Sequence, residues 1–359
     1  MKNMKLEIII GWVIVVALLV GGVMYRGTLK KNVHESAGVE TLTVSVDEKG
    51  KKFPLAPETS SPDGFINTEG KPVTLAEMRG KKVVLLDIWT YSCINCQRTI
   101  PHLNELYEKY KDQGLEIVGL HTPEFSFEKV QKNVEDAAVR FGIKYPVVLD
   151  NDFSTWNAYG NRYWPRKYLI DIDGYIVYDH IGEGGYEETE KAIQAALMER
   201  SKRLGVAVTI PEVAVSSDSE AAGGGGRVGS PEIYFGSARN EYLANGDKQT
   251  SGAQVLTIPG KTKQNGLYLG GAWMISPEYA ESKGGGTILF KYSAKDVYMV
   301  ASSVDGADVE VVLDGVVHST VHVQGELLYP IINGSTYGEH TLELKVKSPG
   351  IRAFTFTFG

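Results

Sequence analysis

The feature that most constrains the fold is an apolar run that leads directly into a pair of cysteines. Residues 83–89 read Val-Val-Leu-Leu-Asp-Ile-Trp, and Cys93 and Cys96 follow at C-x-x-C spacing as the only cysteines among 359 residues. A run so rich in β-branched and apolar residues predicts a strand buried on both faces of a sheet. Apolar residues then recur at helical spacing, so the sequence predicts a helix that begins near Cys93.

The position and spacing of the two cysteines predict thiol–disulfide exchange. At a helix N-terminus, unpaired backbone N–H groups and the helix dipole favour a thiolate, so Cys93 is the predicted nucleophile. Cys96 follows about one turn later as the predicted resolving cysteine, with the Cys93–Cys96 disulfide as the redox group and no further cofactor. A zinc site would need a second Cys or His pair, and covalent haem attachment a histidine at position 97, which is glutamine. A structural disulfide across so small a loop would stabilise little.

Asp87 lies six residues before Cys93 in an otherwise apolar run. A carboxylate desolvated at this position would have a raised pKa and could accept the proton of Cys96. The alternative is an aspartate at the end of the strand, solvated at the edge of the sheet. The residues alone leave both interpretations open.

The chain that follows predicts the rest of an α/β domain over residues 62–205. Alternating strands and helices that end in a hairpin and a last helix predict a mixed sheet with helices on both faces. An Asp-Gly pair is a strong signal for the hairpin turn. The predicted strands are 115–120, 145–149, 168–171 and 175–179, and the predicted helices are 127–141 and 187–202.

Four motifs in this order carry a resemblance to a known family. They are W-T-Y-S-C-I-N-C-Q-R at 89–98, H-T-P-E at 121–124, N-R-Y-W-P at 161–165 and L-I-D at 169–171. The stretch 83–197 resembles the thioredoxin-like domain of DipZ-type cytochrome-biogenesis and thiol–disulfide proteins, within the TlpA/ResA-like group of membrane-tethered bacterial thioredoxins. The resemblance implies a thioredoxin-like fold in which Asp87 takes the place of the buried aspartate of thioredoxins. It also implies that Trp164 and Pro165 form a cis-proline site that faces the disulfide.

A proline beside the thiols has a physical use. It has no N–H to donate, and a cis peptide presents the backbone of the preceding residue to a substrate chain. The alternative is a trans proline that starts an edge strand. Glu124 follows the strand that carries His121, and it is either a second carboxylate near the thiols or a solvated loop residue.

The N-terminus predicts a membrane anchor. Residues 8–25 are apolar and uncharged over 18 positions, about the length that spans a bilayer core. No clear A-x-A cleavage pattern follows, which favours an uncleaved signal anchor at 1–26 over a removed signal peptide, with a stalk at 27–61. The flanking charges do not settle the orientation. The resemblance implies a single-pass protein of the bacterial cytoplasmic membrane whose catalytic domain faces the extracytoplasmic side.

A Ser- and Gly-rich stretch at 206–230 predicts a flexible linker. Beyond it, short strands separated by turns predict an all-β sandwich, a jelly roll, over residues 231–359. Through S-P-E-I-Y-F-G at 230–236, A-K-D-V-Y at 294–298 and the F-T-F-T-F-G ending, this unit resembles the domain that follows the thioredoxin unit in DipZ-type proteins. That domain is carbohydrate-module-like, but a fold does not give a function. The aromatic residues that could stack on a ligand, or instead belong to the core or its rim, are Tyr242, Tyr268 and Trp273.

The net charge and the single predicted membrane span narrow the range of partners. A net charge of −7 argues against a nucleic-acid partner. A reductant with one span needs electrons from a separate membrane protein, and the resemblance implies a CcdA-type donor. The predicted protein is a membrane-anchored extracytoplasmic thiol–disulfide oxidoreductase that acts on disulfides and thiols of other proteins. The alternative is an envelope-binding protein whose C-terminal module binds a glycan or a protein, with the thioredoxin unit as scaffold or redox sensor.

Overall fold

The structure is a computed structural model that describes residues 46–210 and 228–359. The predicted anchor at 1–26, most of the predicted stalk and most of the predicted linker lie outside these ranges. Within them, no helix is long and apolar enough to cross a membrane. From Val46 to Gly359 the chain forms one compact unit, in which an α/β domain is followed by an all-β domain.

The α/β domain is built on a six-stranded sheet. Its strands are β1 (Gly64–Ile66), β2 (Val83–Trp89), β3 (Leu115–His121), β4 (Val147–Leu149), β5 (Arg166–Ile170) and β6 (Ile176–Ile181). They are arranged in the order β1-β4-β3-β2-β5-β6. Strands β2, β3 and β4 run parallel, and each of the other three is antiparallel to its neighbours. The predicted mixed sheet is therefore confirmed.

Helices cover both faces of this sheet. They are α1 (Val46–Lys52), α2 (Leu75–Met78), α3 (Ile94–Tyr110), α4 (Gln131–Arg140), α5 (Ser154–Ala158) and α6 (Tyr186–Leu204). Successive residues of a strand point to opposite faces. Leu85 of β2 accordingly belongs to the core that contains α3, α4 and α6, whereas Leu86 belongs to the core that contains α2 and α5.

The predicted helix at 127–141 begins later than its apolar spacing indicated. Residues Ser126–Lys129 form a 3₁₀ turn, and α4 starts only at Gln131. The buried Glu128 carboxylate accepts the backbone N–H of Glu124 at 2.7 Å and that of Phe125 at 3.0 Å. These bonds hold a tight turn in place of the first turn of the predicted helix.

The packed domain also begins earlier than the predicted boundary at residue 62. Helix α1 lies within the predicted stalk, yet the buried Lys49 ammonium contacts Asp171 at 2.6 Å, Asp173 at 3.0 Å and Glu199. Burial by itself lowers the pKa of Lys49, but the hydrogen bonds to these carboxylates outweigh it and raise the pKa above its ordinary value. The three carboxylates are close enough together to hold a metal ion. The ammonium lies among them, so we assign the cluster as an ion pair network.

The C-terminal domain is an antiparallel sheet of eight strands. They are β7 (Ile233–Tyr234), β8 (Gly252–Leu256), β9 (Leu267–Ile275), β10 (Ala280–Ser302), β11 (Ala307–Leu313), β12 (Val316–Val323), β13 (Leu327–Val346) and β14 (Arg352–Phe358). The order is β12-β11-β13-β10-β14-β7, with β9 also paired to β10 and β8 to β9. Ala353 of β14 pairs with Ala280 and with Ala301 near opposite ends of β10, so the sheet folds back on itself. The predicted all-β domain is confirmed, and its assignment to the jelly rolls stays a prediction.

The aromatic residues considered as a ligand platform belong mainly to the core of this domain. Trp273 is fully buried, and its indole N–H donates to the carbonyl oxygen of Gly270 at 3.0 Å. Tyr268 is buried as well, and Tyr242 packs against the same core. The alternative that placed these residues in the core or at its rim is therefore the one that the structure supports.

The two domains pack against each other. The ring of Phe354 in β14 contacts Phe127 edge-on, with 4.9 Å between the ring centroids, and Phe125 with 5.3 Å between the centroids. Phe354 and Val300 belong to the same buried cluster as the core of the α/β domain. The composition of the linker predicted a flexible connection, but it carried no information about this contact between distant residues.

Candidate redox site

The two thiols lie at the start of α3, as predicted. Cys93 has extended backbone angles and immediately precedes the first helical residue, Ile94. Its side chain is half-buried, and its Sγ is 3.9 Å from the carbonyl oxygen of Trp164. Cys96 lies within the first turn of α3 and is 1% exposed. A substrate can therefore reach Cys93 but not Cys96.

Burial separates the chemistry of the two thiols. It raises the pKa of Cys96 well above its ordinary value, and the neighbouring Cys93 and Asp87 raise it further. Cys96 is consequently a protonated thiol at neutral pH and needs a base before it can attack. This agrees with its predicted role as the second thiol to react.

Asp87 supplies a carboxyl group behind the thiols. It lies on the central strand β2, which has neighbours on both sides, and it is 1% exposed. Burial raises the pKa of Asp87 to about 7, against the opposing effect of Lys167. Of the two interpretations left open by the sequence, the desolvated aspartate is the one found, and the aspartate solvated at a sheet edge is wrong.

Lys167 is a buried partner of Asp87 that no local sequence pattern indicated. It lies directly opposite Asp87 in the antiparallel pairing of β2 with β5 and is 1% exposed. Its ammonium donates to the carbonyl oxygen of Gly182 at 3.2 Å. Burial lowers the pKa of Lys167, and Asp87 and Cys96 act in the opposite direction. The sequence shows a lysine in the strand after Pro165, which could have drawn attention to this position. Only the pairing register of β2 with β5 places it opposite Asp87.

The peptide bond between Trp164 and Pro165 is cis, as the resemblance implied. Trp164 is held by a hydrogen bond from its indole N–H to the carbonyl oxygen of Thr122, at 3.0 Å, and by the ring of Trp156, at 4.3 Å between centroids. The backbone of Trp164 is consequently fixed beside the Cys93 sulfur.

Glu128 fixes the loop that leads into the thiols, and it too had no local signature in the sequence. Its fully buried carboxylate accepts the Ser92 backbone N–H at 3.1 Å and the Ser92 hydroxyl at 2.7 Å. Burial raises the pKa of Glu128, and the hydrogen bond from Ser92 acts in the opposite direction. Because Ser92 immediately precedes Cys93, this carboxylate positions the start of α3.

Of the two environments considered for Glu124, the structure supports the carboxylate near the thiols, because Glu124 lines the same cleft as Cys93. Its carboxylate accepts hydrogen bonds from the Tyr234 hydroxyl and from the Arg239 guanidinium, both at 2.8 Å. Both partners come from the C-terminal domain, and all three side chains line the cleft into which Cys93 opens. Glu124 thus joins the two domains beside the reactive thiol.

Comparisons with known proteins agree with this geometry. The Redoxin family model matches residues 48–197, and the model described as Thioredoxin like C-terminal domain matches residues 230–359. The chain is 38% identical to Protein DipZ of Mycobacterium bovis over 307 residues, 85% of this chain and 43% of DipZ. It is 36% identical to the thiol-disulfide oxidoreductase ResA of Bacillus anthracis over 122 residues, 34% of this chain and 67% of ResA. The chain belongs to the thioredoxin-like thiol–disulfide oxidoreductases.

This oxidoreductase thus spans less than half the length of the DipZ protein that it matches. Among solved structures, a thioredoxin-like protein in the oxidised form is 28% identical in sequence to this chain, with a TM-score of 0.38. The match covers 42% of this chain and 98% of that protein.

One further buried group of the oxidoreductase lies at the end of β3. His121 at the end of β3 is fully buried, and neither ring nitrogen has a hydrogen-bond partner. It packs edge-on against Trp89, with 5.0 Å between centroids, and stacks with Tyr91 at 5.9 Å. Burial lowers the pKa of His121 to about 3, so it is neutral in the physiological range and acts as a packing residue.

Proposed function

We propose that the protein exchanges disulfides with other extracytoplasmic proteins, with Cys93 as the nucleophile and Cys96 as the resolving thiol. One observation carries the proposal: an accessible thiol begins α3, while the second thiol and Asp87 are buried behind it. This arrangement supplies the attacking sulfur, the resolving sulfur and a proton acceptor in sequence. The cis-proline site formed by Trp164 and Pro165 would hold the substrate backbone beside Cys93.

The exchange proceeds in two displacements. The Cys93 thiolate attacks one sulfur of a substrate disulfide, and the other substrate sulfur leaves as a thiolate that takes up a proton. Cys96 then transfers its proton to Asp87, directly or through a water molecule, and attacks the Cys93 sulfur. The mixed disulfide breaks, and the first substrate sulfur leaves as a thiolate that is protonated in turn. The substrate gains two electrons, and Cys93 and Cys96 become a disulfide.

Return to the dithiol state requires an external dithiol donor. We propose that a CcdA-type membrane protein supplies these electrons and that residues 8–25 anchor the protein at the bacterial cytoplasmic membrane, with the redox domain on the extracytoplasmic side. The uncharged apolar N-terminal run and the DipZ-like motifs around the thiols support this placement. Cytochrome c biogenesis is one process that consumes such reducing equivalents.

The test compares two cysteine variants with a model protein disulfide as substrate and dithiothreitol as electron donor. Cys93→Ser should lose turnover to the level of the uncatalysed reaction, because no accessible thiol remains. Cys96→Ser is the matched control and is assayed without dithiothreitol, since it keeps the first attack and should form one mixed disulfide per chain before it stops. Sustained turnover by Cys93→Ser would contradict the proposal.

A further inference from the structure

Acidic side chains from both domains line the cleft at Cys93. The cleft has a volume of about 290 Å³, and its walls include Glu124 of the α/β domain and Glu232 of the C-terminal domain. The Tyr234 hydroxyl oxygen is 2.8 Å from Oε1 of Glu124 and 2.9 Å from Oε2 of Glu232. Two carboxyl groups and one phenol are therefore joined by short contacts in the cleft that holds the reactive thiol.

The number of protons in this group of three side chains follows from their hydrogen-bonding capacity. A phenol has one proton and can donate it to one carboxyl group, and an ionised carboxylate can only accept. The second contact is equally short, and two oxygen acceptors do not approach so closely without a proton between them. One of the two carboxyl groups is consequently a neutral acid that donates to the oxygen of Tyr234.

Arg239 decides which carboxyl group carries this proton. Its guanidinium is 2.8 Å from Oε1 of Glu124, and its Cζ lies 3.7 Å from the centroid of the Tyr234 ring. A guanidinium stabilises an ionised partner, so Glu124 is the carboxylate. Within the part of the chain that the structure describes, the Glu232 carboxyl group has Tyr234 as its only hydrogen-bond partner. Glu232 is therefore the neutral acid.

The surroundings of Glu232 also favour its neutral form. The residue is exposed to solvent, yet desolvation of its carboxyl group in the cleft raises the pKa. The Glu124 charge raises this pKa further, and the hydrogen bond with Tyr234 acts in the opposite direction. Contact with solvent allows the carboxyl group to regain a proton after losing one. The remaining ionisable side chains that line the cleft are Cys93, Arg162, Tyr163 and Arg239.

The first displacement at Cys93 creates a demand for a proton in this cleft. When a thiolate attacks a disulfide, the second sulfur of that disulfide leaves as a thiolate. The Glu124 carboxylate in the same cleft disfavours this new negative charge. Asp87 does not meet the demand, because it is buried and does not line the cleft.

We propose that Glu232 protonates the sulfur that leaves when Cys93 attacks a substrate disulfide. The inference rests on the proposed function, because it names the source of a proton that the exchange requires. The Cys93 sulfur forms a bond to one substrate sulfur, and the bond between the two substrate sulfurs breaks. The electron pair of that bond takes the proton of Glu232, which gives a free substrate thiol and a Glu232 carboxylate. Glu232 then recovers its proton from solvent.

The experiment compares two symmetrical disulfides whose leaving thiolates differ in basicity. Dithiobis(nitrobenzoate) releases an aromatic thiolate that is stable without a proton, whereas hydroxyethyl disulfide releases an alkyl thiolate, which is a stronger base and leaves more slowly. The full-length Cys96→Ser protein is the parent, so that the reaction stops at the mixed disulfide with Cys93. Rapid mixing followed by mass spectrometry gives the rate of mixed-disulfide formation with each reagent.

Two glutamine substitutions are introduced into this parent. Glu232→Gln replaces the acid by a neutral amide of the same shape, which still donates a hydrogen bond to Tyr234 but cannot give up a proton. Glu241→Gln is the matched control, because Glu241 is exposed in the same domain and does not line the cleft.

Glu232→Gln should slow the reaction with hydroxyethyl disulfide about tenfold or more, because loss of a proton donor costs a factor of this order or larger. It should react with dithiobis(nitrobenzoate) at the parent rate, which also shows that it folds, and Glu241→Gln should match the parent with both reagents. Unchanged rates or an equal loss with both reagents would overturn the inference. A faster reaction with both would also overturn it, because Glu232 would then be an ionised group that opposes the thiolate. Failure of the proposed function is distinct, since the parent itself would then form no mixed disulfide.

Discussion

Asp87 is a carboxyl group placed where water cannot reach it. An exposed aspartate is ionised throughout the neutral range, whereas burial raises the pKa of Asp87 to about 7. Its Oδ1 atom has no hydrogen-bond partner, so the charged form gains little from local donors. Lys167 opposes the shift from the facing strand. The result is a group that can take up and release a proton near neutral pH.

The release of the mixed disulfide should therefore depend on the ionisation of Asp87. Only the carboxylate accepts a proton, so the release rate should fall as the pH decreases through about 7. Asp87→Asn removes the acceptor and should slow release about a hundredfold above that pH and abolish the dependence. Single-turnover release of a substrate thiol across this pH range measures both effects.

The matched control is Asp136→Asn on α4, because this aspartate is exposed and forms a surface ion pair with Lys132. It should reproduce the wild-type rate and pH profile. A pH profile that Asp87→Asn shares with the wild type would show that Asp87 does not accept the proton.

The site residues differ in whether they could be predicted from the sequence. Cys93, Cys96 and Asp87 were predicted because each is unusual in its local sequence, a thiol or a charge beside an apolar run. Lys167 and Glu128 act through partners 80 and 36 positions away. Local patterns cannot report such pairs, since only the register of two strands or the path of a loop brings them together.

At the scale of elements, the start of α3 depends on several segments. Strand β2 ends at Trp89, Glu128 holds Ser92 in the loop that follows, and Cys93 provides the extended residue before the helix. Apolar spacing predicted β2 and α3. It did not predict the interruption before α4, where the Glu128 carboxylate accepts nearby backbone N–H groups, because apolar spacing does not report polar contacts. It did not predict the packing of α1 because that packing depends on carboxylates distant in sequence.

The contribution of the Lys49 ion pairs to the packing of α1 can be measured as a change in the free energy of unfolding. Lys49→Met leaves the buried Asp171 carboxylate without its cation, and we expect a loss of about 3–5 kcal/mol in the free energy of unfolding at neutral pH. Because the carboxylates raise the pKa of Lys49, its ammonium is fully charged under these conditions. Towards about pH 3 the loss should shrink, because burial raises the pKa of Asp173 but the hydrogen bonds from Lys49 and Arg203 outweigh it and hold that pKa below its usual range. Denaturant unfolding at the two pH values measures it.

Lys51→Met in the same helix is the control, since Lys51 is exposed. A surface substitution of this kind should change the free energy of unfolding by less than about 0.5 kcal/mol. Equal effects of the two substitutions would mean that the buried ion pairs do not stabilise the attachment of α1.

At the scale of the whole molecule, the proposed partners can be trapped. Cys96→Ser removes the resolving thiol, so Cys93 should accumulate as mixed disulfides with its substrates and its electron donor. Mass spectrometry of adducts from cells that express this variant should identify extracytoplasmic proteins and a polytopic membrane protein. The variant that carries both Cys93→Ser and Cys96→Ser is the control and should yield none. Adducts with cytosolic proteins alone would contradict the proposed orientation, and their absence would contradict exchange with proteins.

The order of the domains and the fold class of each were accessible from the sequence. The α/β alternation, the change to short strands after residue 230 and the DipZ-like motifs each had a local signature. The arrangement of the domains had none, because it depends on Glu124 meeting Tyr234 and Arg239 across more than a hundred positions of chain.

The contact of Phe354 with Phe125 and Phe127 has a consequence for cooperativity. If these rings separated, aromatic surface from both domains would be exposed to water at once, so the folding of each domain contributes to the stability of the other. The C-terminal domain contains no cysteine, yet its unfolding would remove one wall of the cleft at Cys93. Loss of the C-terminal fold would therefore change what can reach Cys93, although that domain contributes neither thiol.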